Sequence, residues 1–106
     1  MSDPNSSGIR VENRAAFSCW VYVKSSAHES EHSGLLMTGQ DYTFLFADLA
    51  KNGFQEGENC WMSVDVQAGK TNHESRENFN LAKDGGFMGT YSLTGGTLTP
   101  AWHREF

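Results

Sequence analysis

The sequence predicts an all-β chain, a small antiparallel β-sandwich of about seven strands, with a small β-barrel as the alternative. Apolar residues recur with period two wherever a period is clear, turn residues punctuate the chain at intervals of roughly ten residues, and no helical period persists beyond one turn. The clearest alternation lies in two similar segments, Phe17-Ser18-Cys19-Trp20-Val21-Tyr22-Val23 and Glu58-Asn59-Cys60-Trp61-Met62-Ser63-Val64. Strand side chains switch faces at every residue, so Cys19, Val21 and Val23 share one face with Cys60, Met62, Val64 and Val66. Trp20, Tyr22, Trp61, Asp65 and Gln67 take the other.

A first short strand is predicted near Ile9–Glu12, then Ala16–Lys24, a polar loop Ser25–Gly34 and an apolar piece Leu35–Met37. Gly39-Gln40 turns the chain into Tyr42–Phe46. Asp48 reads as the N-cap of a single helical turn that Gly53 ends. Cys60–Ala68 is the next strand, followed by the long polar loop Gly69–Glu77 and a short strand Phe79–Ala82. Lys83-Asp84-Gly85-Gly86 reads as a hairpin turn into Phe87–Leu93, and Gly95-Gly96 as a two-residue hairpin into Thr97–Trp102, where Pro100 favours an edge. Residues 1–8 read as a flexible leader and 9–106 as one domain, whose length suffices for its own core.

The net charge of -5, from 13 acidic against 8 basic residues scattered singly between Arg10 and Arg104, disfavours nucleic acid, which needs clustered cations. No apolar run is long enough for a membrane span. Met1–Ser7 lacks a charged-then-apolar signal, so cytoplasmic residence or unconventional export is the expectation. Cys19 and Cys60 sit at matching places on the apolar face, which would bring them together if their strands pair; buried free thiols are the alternative.

His28-Glu29-Ser30-Glu31-His32 matches the His-Glu-x-x-His pattern and so resembles the zinc peptidases called zincins, where a helix places both imidazoles on one metal and the Glu polarises its water. The surrounding Ser25–Ser33 lacks the apolar positions that would bury one side of such a helix, and a third ligand would have to come from His73, Glu74 or His103. A zinc-dependent hydrolase is therefore the third choice, and a solvated loop the plainer one. There is no Gly-x-Ser-x-Gly elbow, and the paired glycines are explained by turns. No catalytic residue, metal or cofactor is assigned.

The loop Gln67–Asn78 gathers amide, hydroxyl, carboxylate, imidazole and guanidinium groups after a strand that carries Trp61 and Asp65. Aromatic planes beside many hydrogen-bonding groups suit a sugar, with its C–H faces and hydroxyl rim. The general look is similar to that of small lectins. A non-enzymatic carbohydrate- or glycoprotein-binding module is thus expected, with Trp20, Tyr22 and Trp61 stacking and Asp65, Asn72, His73, Glu74 and Arg76 hydrogen-bonding. The alternative is a protein-interaction or toxin-like module whose aromatic face is a homodimer or partner interface.

Overall fold

The computed structural model describes residues 3–83 and 87–106. Among them the elements run β1 (Asn5–Ser6), β2 (Gly8–Asn13), β3 (Cys19–Ser25), β4 (Asp41–Leu45), α1 (Phe46–Lys51), β5 (Asn59–Val66), β6 (His73–Glu74), β7 (Phe79–Leu81), β8 (Gly89–Gly96) and β9 (Thr99–Arg104). One sheet has the order β1-β7-β5-β3, with β6 also pairing β5; the other has the order β4-β2-β8-β9. Each keeps its own edge strands, so the architecture is the expected sandwich and not the barrel.

The sheets are mixed. β1 runs parallel to β7 and β2 parallel to β8, while all other strand pairs are antiparallel. The parallel pairs go together with the sheet order, since β1 and β7 are neighbours in the first sheet and β2 and β8 in the second. Buried Ser6 holds the link from β1 to β2: its hydroxyl bonds the Gly8 carbonyl and accepts the Gly89 N–H at 2.8 Å. Gly8 has φ +135, and a Cβ there would collide with the Phe44 carbonyl, so the bend requires glycine. Sheet structure therefore begins inside the segment expected to be a leader.

The inward faces follow the alternation read from the sequence. Phe17, Val21, Val23, Phe44, Met62, Val64, Val66, Tyr91 and Leu93 are all buried, together with Ile9, Val11, Phe79 and Leu81, in one cluster between the sheets. Leu49 of α1 and Phe54 belong to the same cluster.

Several local expectations are corrected. The turn placed at Lys83–Gly86 lies from Asp84 onward outside the described residues, but the strands it joins, β7 and β8, belong to different sheets and do not form a hairpin. Gly95 and Gly96 are strand residues paired with Pro100 and Thr99, so the two-residue turn is Thr97-Leu98. Asp48 stands inside the first turn of α1, where its carboxylate accepts the Leu45 N–H. β9 is an edge strand, as Pro100 required.

The outer side of β3 is paired through serines. Ser30 donates its N–H to Val23 O and accepts the Val23 N–H on Oγ, both at 2.8 Å. Ser33 repeats this with Val21, and Ser75 does so with Met62 on β5. A hydroxyl oxygen thus stands where a neighbouring strand's carbonyl would, satisfying buried donors without a regular ladder.

Leu93→Ala should cost about 2–4 kcal/mol in urea unfolding, through lost transfer energy and a cavity. Leu98→Ala, at the 74% exposed hairpin tip, should stay within about 0.5 kcal/mol.

Candidate functional site

The outer face of the first sheet is built on the β3–β5 ladder, where Trp20 faces Asp65, Tyr22 faces Ser63 and Lys24 faces Trp61. Trp20 and Trp61 are half-buried there. Tyr22 is 1% exposed, because the His32 ring stacks on it with centroids 4.0 Å apart. Its hydroxyl donates to Asn72 Oδ1 at 2.6 Å, and Asp65 Oδ1 accepts the Asn72 N–H at 2.8 Å, which secures Asn72 at φ +53. Burial, with the nearby Asp65 charge, raises the Tyr22 phenol. Tyr22 is therefore a buried fastener of the loop, not the stacking surface expected of it.

Glu74 ties the same face together. It accepts Trp61 Nε1–H at 3.1 Å on one oxygen and Lys24 Nζ at 2.6 Å on the other. The hydrogen bond to Glu74 raises Lys24 above its ordinary value. Trp61, Lys24 and Glu74 form one polar and aromatic strip, separated from Trp20 and Asp65 by Tyr22 and the His32 ring that covers it.

The expected site is split by strand alternation. In β6, Glu74 is registered with outward Ser63 and His73 with inward Val64, so the two side chains take opposite faces. Beyond Glu74, residues 73–77 and β9 enclose a groove of about 260 Å³, lined among others by His73, Glu74, Arg76, Tyr91, Trp102 and Arg104. Trp102 was missed from the sequence, although its place in an alternating terminal strand signals it. Its Nε1–H donates to His73 O at 3.0 Å, so its ring fixes the loop and forms a wall of the groove. Tyr91 OH donates to Glu77 O at 2.7 Å, and Arg104 donates to Asn78 O at 2.7 Å. Of the expected ligand-binding residues, Trp20, Trp61, Asp65, Asn72 and Glu74 thus share the outer face, with the buried Tyr22 between the Trp20–Asp65 and Lys24–Trp61 pairs, while His73 and Arg76 join the groove.

The His28–His32 segment is an irregular run beside β3, with a single bridge at Glu29, and not the helix a zincin pattern needs. The two imidazoles have separate partners. His32 lies on Tyr22, whereas His28 Nδ1 bonds Glu58 Oε2 at 2.8 Å and its ring covers Gly53. Gly53 has φ +97, and a Cβ would stand 2.9 Å from the ring, so glycine permits this contact. Burial opposes the Glu58 charge, but hydrogen bonds from Ser25, His28 and the Gln55 N–H outweigh it and hold the carboxyl below its usual range.

The two cysteines are not neighbours. Their strands pair, but antiparallel, so Cys19 faces Val66 and Cys60 faces Ser25 at opposite ends of the ladder, about 20 Å apart at ~3.4 Å per residue. Both are free and buried, and desolvation pushes each thiol up to about 12.

No family model matches the chain, and no curated protein does. One solved structure, named "Trapped Toxin", is similar over 92% of this chain with a TM-score of 0.51 and 15% sequence identity. The chain spans 23% of that structure's chain. At this identity the likeness concerns the fold alone.

Because the folded state lowers the Glu58 pKa, its contribution to stability is present above the usual glutamate range and is lost as pH falls from there through the lowered folded-state value. Glu58→Gln should cost about 1 kcal/mol at pH 7, after allowing for screening, and the difference from the parent should shrink in unfolding curves at pH 3. The native thiols should be silent to Ellman's reagent at pH 8, where a group titrating at about 12 is ionised in roughly one molecule in ten thousand. Both should react fully in guanidinium.

Proposed function

We propose that this chain is a carbohydrate-binding module, with a sugar ring lodged in the groove against Trp102 and a second one resting on the Trp61 strip. The observation that carries this reading is the groove of about 260 Å³ between an aromatic wall and the polar segment 73–77. That volume lies below the roughly 300–1,000 Å³ of clefts that take drug-sized ligands, and suits a single small ring. Glu74 lines the groove and also bonds Trp61, so a saccharide chain leaving the groove crosses directly onto the half-buried indole. Indole and phenol groups whose polar atoms are already bonded present apolar area to C–H faces. Asn72, held in a left-handed conformation, and Asp65 supply neighbouring polar groups.

A protein-interaction module, including a homodimer, is the second reading, favoured by a different surface. Leu35, Met37, Tyr42 and Leu45 are exposed along the chain that enters and forms the edge strand β4, Met37 by 56%. Sheet edges beside apolar side chains are templates for pairing with another chain.

A glycan array with the purified protein tests the first reading, and binding of at least one glycan class is the expected result. Trp61→Ala should weaken that binding by about 0.5–1.5 kcal/mol, the worth of one aromatic contact. A silent array with a mass twice that of the chain in light scattering, reduced to one by Met37→Glu and Leu45→Glu together, would favour the second.

A further inference from the structure

Resting on the carbohydrate reading, we infer that the groove selects a sugar carrying a single carboxylate, with Arg76 as its counter-ion. The inference comes from accounting for every arginine and carboxylate that lines the groove. Glu74 spends one oxygen on Trp61 and the other on Lys24. Glu77 lies 3.5 Å from Arg104, whose remaining donors reach Asn78 O and Phe106 O. Arg76 is exposed and pairs with no carboxylate among the described residues, whereas Arg10, Arg14 and Arg104 all do.

In a chain of net charge -5, an unpaired guanidinium at the lip of an aromatic groove is the exception. A guanidinium offers a planar fork of donors that matches the two oxygens of a carboxylate, and charge-assisted bonds of that kind are stronger than neutral ones. The sugar ring would lie against Trp102 while its carboxylate projects to the rim. The same net charge repels polyanions, which selects a single anionic residue over a densely charged polymer. A sulfate ester shares the anionic chemistry but not the planar geometry.

Calorimetric titration with methyl β-glucuronide, methyl β-glucoside and methyl β-glucoside 6-sulfate tests the inference. The glucuronide should bind about tenfold tighter than the glucoside, or more, as one charge-assisted contact allows. Arg76→Gln should abolish that difference, bringing the glucuronide down to the affinity that the same variant shows for the glucoside, and Arg76→Lys should restore part of it. Equal affinities for glucuronide and glucoside, indifferent to Arg76→Gln, would overturn the carboxylate preference while leaving carbohydrate binding in place. A preference for the 6-sulfate would replace carboxylate by sulfate. Failure of all three probes, together with a silent glycan array, would remove the carbohydrate reading itself.

Discussion

Both candidate binding surfaces hang from the ladder between β3 and β5, and that ladder depends on satisfying the backbone groups at its two outer sides. Buried N–H and C=O groups without partners are costly, yet the segment beside β3 is irregular, and on the outer side of β5 only the short β6 and β7 pair as strands. Ser30, Ser33 and Ser75 resolve the conflict, each accepting a strand N–H on its hydroxyl and returning its own N–H to the same residue. The two polar loops are therefore anchored at fixed points along the ladder while their other side chains are free to differ. His32 is held over Tyr22 because Ser30 and Ser33 are fixed on either side of it, and residues 73–77 are held against β9 because Ser75 is fixed to Met62.

This anchoring explains why polar residues adjacent in sequence serve different surfaces. Asn72 turns through a left-handed conformation to meet Tyr22 and Asp65, Glu74 faces the indole of Trp61, and Arg76 emerges past Ser75 at the groove. Glu74 is the hinge of the arrangement, shared by the strip and the groove.

The faces of the central strands were legible in the sequence, because a period of two forces Val21, Val23, Met62 and Val64 to one side and the tryptophans to the other. Their register was not, and a matching Cys-Trp dipeptide in each strand suggested a proximity that antiparallel pairing rules out. Nor was the parallel pairing of β2 with β8, since Ser6 and Gly8 carry no local sign of a chain crossing between sheets. Tyr22 illustrates the limit for the site: its alternation aimed it outward correctly, but its burial comes from His32, a contact that no pattern within the strand encodes. The groove escaped for the same reason, being made where residues 73–77 meet Trp102 on the other sheet.

The parallel pairing of β1 with β7 and of β2 with β8 also sets an order of events in time. Asn5 pairs with Asn80 and Ile9 with Gly89, so neither sheet can be completed until β7 and β8 have left the ribosome. Pairings so distant in sequence incur loop-closure entropy before they return any stabilisation, which slows folding. The β8–β9 hairpin is the most local of the pairings, and β2 with β4 and β3 with β5 also close shorter loops than either parallel pair. Until the C-terminal strands arrive, β2 can find only β4, and its other edge stays open to foreign strands, so chains interrupted short of Gly89 are the ones most exposed to aggregation.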